Sequence, residues 1–118
     1  MILHILSRAE WEEALSIQSY RPPSLRDEGF IHCSTVGQVV ETANLFFRGR
    51  RDLLIVCIDE ARLAWPLKLE APASTGHART AGLFPHIYGP LNLDAVTAVH
   101  EFPCKEDGEF ELPGALRE

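Results

Sequence analysis

Leu53-Leu54-Ile55-Val56-Cys57-Ile58 is the longest uninterrupted apolar run of the chain. A membrane-spanning helix needs about 20 such residues, so this run is far too short to cross a bilayer. It has the length of an ordinary strand. No position in it is polar, so neither face of that strand suits water. The run predicts a central strand covered on both sides.

Upstream of the run, Ile2 to Leu6 reads as a strand, with His4 on the face of Ile2 and Leu6. Ser7-Arg8-Ala9-Glu10 is a capping-box pattern and predicts a helix start. Trp11, Ala14, Leu15 and Gln18 follow helical spacing, with Trp11 and Leu15 as the expected core anchors. Tyr20-Arg21-Pro22-Pro23 should end that helix, since the residue before a proline avoids helical geometry. Ser24 to Glu28 reads as a connector and Phe30 to Cys33 as a strand. Thr35-Val36-Gly37-Gln38 is a second capping-box pattern. Val36, Val39, Val40, Ala43 and Phe47 form the stripe of a second helix that stops near Arg48-Gly49.

Downstream, Asp59 to Leu63 reads as a turn or a single helical turn. Leu67 to Glu70 alternates like a half-exposed strand, and Ala71 to Gly82 reads as a mobile loop. Ala95 to Phe102 is a further strand, and Glu109 to Leu112 is expected to form a last edge strand. Trp65, like Trp11, is expected in the core. Two early helices followed mostly by strands predict an α+β fold in a single domain over residues 1–118.

Composition narrows the partners. The chain has 118 residues, 46% of them hydrophobic and 24% charged, with a net charge of -6. Such an acidic protein is a poor general binder of nucleic acid, because neutralising phosphates supplies most of that affinity. No basic segment followed by an apolar one opens the chain, so no secretory leader is read there. Its three cysteines, Cys33, Cys57 and Cys104, are odd in number and widely spaced. Reduced thiols, a cytoplasmic location and no structural metal site are expected. Arg48, Arg50 and Arg51 form the one basic cluster, at the end of the second helix.

The chemistry concentrates in two stretches, Gly29-Phe30-Ile31-His32-Cys33-Ser34 and Phe84-Pro85-His86-Ile87-Tyr88-Gly89-Pro90-Leu91. Each sets a histidine among apolar residues with a hydroxyl two places on. In an extended chain His32 and Ser34 share a face, as do His86 and Tyr88. A face bearing imidazole and hydroxyl needs polar company or a ligand, since an unpartnered buried polar group costs a few kcal/mol. Cys33 points away from His32, which argues against a Cys-His nucleophile pair. No Gly-rich phosphate loop and no nucleophile elbow is present.

These stretches, the first extended back to Glu28, taken with His4, Trp11, Ala14, the Tyr20-x-Pro22-x-Ser24-Leu25 segment, Gln38, the Leu53 to Asp59 strand and Leu67 to Glu70, resemble the bacterial family catalogued as domain of unknown function 952. The resemblance runs from about His4 to about Phe102. It implies a fold similar to that of ADP-ribosyltransferases: a mostly antiparallel, split two-sheet barrel with two or three helices and a nucleotide cleft. His4, Leu25, Gly29, Ile31, His32, Cys33 and Ser34 also resemble the pattern of RNA 2'-phosphotransferases. The arginines those enzymes place on phosphate are not matched, and Glu70 stands where a transferase carries its acidic residue.

The ligand this implies is small and nucleotide-like: NAD, ADP-ribose or a ribose-phosphate end of RNA. His32 and Glu70 would be the catalytic candidates. His4, Tyr20, Ser24, Ser34, His86 and Tyr88 would bind, with Tyr88 stacking on a base or nicotinamide ring and His86 on a phosphate. Tyr20 and Ser24 would line the cleft mouth. Two alternatives stand beside ribosyl or phosphate transfer. One is a binding module that keeps the fold without the chemistry. The other is a set of structural histidines, with Ser34 serving only as a helix-entry hydroxyl.

Overall fold

The structure is a computed structural model that describes residues 1–72 and 82–117. The greater part of the loop expected over 71–82 therefore lies outside the described residues. Eight strands and three helices follow in the order β1 (Ile2–Ser7), α1 (Arg8–Ile17), β2 (Ser19–Tyr20), α2 (Pro23–Asp27), β3 (Ile31–His32), α3 (Val39–Phe46), β4 (Leu53–Ile58), β5 (Leu67–Glu70), β6 (Phe84–Ile87), β7 (Leu91–Asn92) and β8 (Val96–Glu101). Single 3-10 turns at Glu60–Arg62, Leu93–Ala95 and Gly114–Leu116 complete the described elements.

The apolar run is β4, in the middle of an antiparallel sheet ordered β1-β4-β8. All six of its residues are buried, because each of the sheet's faces has its own cover. On one face Ile2, Leu6, Leu54, Val56 and Ile58 pack with Ala14, Tyr20, Ile31, Cys33, Ile87, Leu91 and Ala95. On the other, Leu3, Ile5, Leu53, Ile55 and Cys57 pack with Val39 and Ala43 of α3 and with Phe102, Cys104 and Phe110. A period of two along β1 and β4 thus feeds two separate apolar clusters.

A second antiparallel sheet runs β3-β6-β5, and β2 pairs with β7 as a two-stranded ribbon. The two larger sheets touch through one bridge. Leu3 N–H donates to Ser34 O and Ser34 N–H to Leu3 O, both at 2.8 Å. The arrangement is α+β and largely antiparallel, but it is an open pair of sheets and not a closed barrel. Among the described residues no helix is long and apolar enough to cross a membrane.

The capping box at α1 forms in full. Glu10 N–H donates to Ser7 Oγ at 3.1 Å, and Ser7 N–H donates to Glu10 Oε1 at 2.8 Å. The helix stops earlier than its proline signal, at Gln18 in the left-handed region, so that Ser19 and Tyr20 can pair with β7. The core anchor of α1 is Ala14, not Leu15, which is 44% exposed; Trp11 is half-buried against the cluster. Ser24 to Glu28, expected as a connector, is mostly the short helix α2, started by Pro23 at its first position. Gly29 ends it at φ +90°, its N–H reaching Ser24 O and Leu25 O.

Two further expectations are corrected. Trp65 is 51% exposed and lies flat against Gly89, where an added Cβ would sit 2.2 Å from the Trp65 ring. Residues 109–112 form no strand: Phe110 is buried and its N–H goes to the Asn44 side chain at 2.7 Å, so a side chain meets the need that a ladder would have met.

Candidate functional site

The site forms where the two larger sheets diverge. Beyond the Leu3–Ser34 bridge, β1 and β3 separate and α3 roofs the gap, leaving a cavity of about 260 Å³. Its polar side chains are His4, His32, Ser34, Thr42 and His86; the rest of its described wall is apolar apart from Cys33. Of the residues proposed from sequence, His4, His32, Ser34 and His86 line it. Tyr20, Ser24, Glu70 and Tyr88 do not, although Tyr20 and Glu70 each bond to a histidine that does, and Tyr88 bonds to Glu70.

Antiparallel pairing sets His32 opposite His86, and His86 opposite Lys68, so three side chains form one row across the sheet. The two imidazole rings lie 5.5 Å apart, edge to face at 74°. Each ring is held at one nitrogen by a carboxylate. His32 Nε2–H donates to Glu28 Oε2 at 2.8 Å, and His86 Nδ1–H donates to Glu70 Oε1 at 2.8 Å. Tyr88 donates its hydroxyl to the same Glu70 oxygen at 2.6 Å. Those two hydrogen bonds, Tyr88's first, hold the Glu70 carboxyl below its ordinary range, and the same bond to Glu70 raises the Tyr88 phenol.

Tyr88 is thereby a support for the Glu70–His86 pair. Its ring is occupied: the Lys68 ammonium sits 4.6 Å from its centroid and Phe30 lies 5.4 Å away. The stacking platform expected of Tyr88 is covered on these sides. Phe30 also stacks on His86 at 4.1 Å and 20°, so three contacts fix that imidazole. His86 is only 2% exposed, yet its Nε2 has no hydrogen-bond partner among the described residues. The Ser34 hydroxyl, 4% exposed, has none either. Both belong to side chains on the cavity wall.

His4 is different. Its Nδ1–H donates to the His32 carbonyl at 2.5 Å, so Nε2 is the acceptor and takes the Tyr20 hydroxyl at 2.8 Å. Both nitrogens are used. Burial opposes the charged ring and lowers its pKa to about 4, while burial pushes the Tyr20 phenol up. Tyr20 is buried and turned into the core, not placed at a cleft mouth. Ser24 stays in α2, where its carbonyl accepts from Glu28 and Gly29, away from the cavity.

Cys33 lies in the core with its thiol pushed up by burial, unsuited to nucleophilic work. The three thiols are unpaired and buried. Arg48 and Arg50 of the basic cluster are paired with Glu109 and Asp52. Among the described residues no group of three His, Cys, Asp or Glu side chains is placed to hold a metal ion.

The sequence places Glu28 and Phe30 in the first histidine stretch without giving them a role, and it does not reveal Lys68 or the second role of Gln38. Gln38 takes the Thr35 N–H at 3.0 Å, one half of the expected capping box, but α3 begins only at Val39 with Gln38 itself at its N-cap; Gln38 also donates to Leu83 O at 2.8 Å, tying α3 to the approach of β6. The period of two sets Lys68 on the face of Glu70 and Phe30 on the face of His32, but it does not say which ring lies across the sheet.

The molecule has recognisable relatives. No curated protein matches it. Among solved structures, the crystal structure of protein CC0527 from Caulobacter crescentus is 36% identical, with a TM-score of 0.81 over 98% of this chain and 96% of that one. The solution structure of CC0527 is 31% identical, with a TM-score of 0.70 over 94% of this chain and 91% of that one. The sequence profile of the family described as protein of unknown function (DUF952) matches residues 5–99. The chain belongs to the DUF952 family.

Proposed function

We propose that the cavity binds the ribose-bearing part of a nucleotide-like ligand of the NAD, ADP-ribose or RNA-end class, with His86 as its proton-handling group. One observation carries the reading. A buried imidazole is locked at Nδ1 by an ionised carboxylate, and its other nitrogen and the Ser34 hydroxyl, both on side chains of the cavity wall, have no hydrogen-bond partner among the described residues. Leaving such groups unmade costs about 1–3 kcal/mol each, which a ligand hydroxyl would recover. A carboxylate that orients an imidazole is also how general bases are positioned. The open, split pair of sheets is in keeping with an ADP-ribosyltransferase-like fold, and three unpaired thiols suit a reducing, cytoplasmic compartment.

The volume sets a limit. Sites for drug-sized ligands run to roughly 300–1,000 Å³. At about 260 Å³ the cavity encloses a ribose with one substituent, and the rest of a dinucleotide would lie outside. The largely apolar wall favours, as a second reading, a binding module that performs no transfer.

Titration with NAD, ADP-ribose, nicotinamide and 2'-phosphorylated RNA ends, followed through the histidine ring signals, tests the proposal. Saturable shifts at His86 and His32, lost in His86→Asn, are the expected result. No shift with any of the four at millimolar concentration would sink it. Binding without NAD cleavage or phosphate transfer selects the second reading.

A further inference from the structure

We infer that His32 and His86 form an acid–base pair that opens a ribose cyclic phosphodiester. The inference rests on the ribose reading above and names its substrate class. The geometry has a two-part symmetry that simple binding does not require. Two imidazoles stand at paired positions of adjacent strands, with rings 5.5 Å apart. Both line the same cavity, and each has one nitrogen anchored to a carboxylate and the other without a partner among the described residues. A neutral imidazole so anchored presents a lone pair; a protonated one presents an N–H. A pair sharing one proton therefore offers a base and an acid to one substrate.

Their placements assign the roles. His86 is buried and clamped by Glu70 and Phe30, as a base needs. His32 is at the rim, its side chain 38% exposed, where solvent resupplies protons. In the step, His86 Nε2 takes a proton from water and the water oxygen bonds to phosphorus. The phosphorus bond to one ribose oxygen breaks, and His32 Nδ1–H protonates that oxygen. The product is a phosphomonoester; solvent then returns both rings to their starting states. The leaving group is a ribose oxygen, which is why an acid is needed. A cyclic phosphodiester carries one negative charge, and the protonated His32 supplies one positive charge. The buried Ser34 hydroxyl, on the same wall and without a partner among the described residues, would donate to a phosphoryl oxygen.

The charged and titratable groups around the pair are Glu28 before β3, Glu70 and Lys68 on β5, Tyr88 after β6, and His4 and Tyr20, which are bonded to each other. Hydrolysis of cytidine 2',3'-cyclic phosphate by the full chain, followed by phosphorus NMR, is the test. The expected result is turnover with a bell-shaped dependence of kcat/KM on pH. His32→Asn and His86→Asn should each lower kcat/KM by about 10²–10³-fold, within the range for one acid or base. His32→Asn should abolish one limb of the bell; as a rim substitution it keeps the test valid if His86→Asn does not fold. Turnover unchanged in His32→Asn overturns the pair. Absence of turnover, with NAD or ADP-ribose still shifting His86, overturns the pair and leaves the ribose reading standing. Absence of both overturns the two together.

Discussion

The sheets β1-β4-β8 and β3-β6-β5 have the same number of strands and the same antiparallel pairing, yet they use their side chains oppositely. In the first, the central strand has no polar residue, and both faces disappear into apolar clusters. In the second, the central strand carries His86 into a row with His32 and Lys68, with Glu70 and Tyr88 beside it. Hydrophobic burial is non-directional and tolerates repacking, whereas a polar row demands particular atoms at particular distances. The centre of the first sheet is therefore wholly apolar, whereas the second combines buried Ile31 and Ile87 with a hydrogen-bonded polar row.

Two histidines of the cavity wall show the contrast on a small scale. His4 and His86 are both buried on the cavity wall. His4 has spent both nitrogens on the fold, whereas His86 keeps one. Buried polar groups normally find a partner, so His86 Nε2, without one among the described residues, is the exception of the two.

Substitutions should separate the two sheets. Ile55→Ala opens a void in the fully buried centre of β4 and should cost about 2–5 kcal/mol in urea unfolding, the largest effect. Acid should act through His4. Its folded pKa of about 4 lies below the ordinary 6.5, so the unfolded chain binds the extra proton. Its contribution is complete above pH 6.5 and is lost as pH falls toward 4, to a total of roughly 3 kcal/mol. Comparing the pH dependence of unfolding in wild type and His4→Gln isolates it, and equal slopes between pH 7 and 5 would refute the assignment.

Tyr20→Phe leaves His4 Nε2 without its donor and should cost about 1–3 kcal/mol, read from the urea midpoint. Glu70→Gln is the corresponding change in the polar row. It should leave the unfolding midpoint nearly unmoved while bringing the Tyr88 phenol down toward its ordinary value, seen in an ultraviolet titration. A large loss of stability in Glu70→Gln would mean that the polar row supports the fold after all. The Arg8–Glu101 ion pair is exposed, and Arg8→Ala should change thermal unfolding least of all.

Much of the core sheet was legible. The unbroken apolar run at 53–58, the alternation in β1 and the Ser7–Glu10 capping box each act locally, and each appears where its pattern lies. Trp65 and Leu15 were misread because size and apolar character do not say which way a side chain points. The strands β2 and β7, two residues each, carry no periodicity to detect. At the site, His32 and His86 stood out through their apolar surroundings. Phe30 and Glu28 did not, since their roles depend on which ring lies across the sheet.

By itself the amino-acid sequence determined the central strand, the two main helices, the family and the two histidine stretches, because propensity, capping and periodicity are written within a few residues of one another. Only the tertiary structure decided that His32 faces His86, that Glu70 takes the Tyr88 hydroxyl, and that both nitrogens of His4 bond within the chain. Those facts depend on register between strands 16 to 54 residues apart in sequence, and hydrogen bonds discriminate at that range by tenths of an ångström.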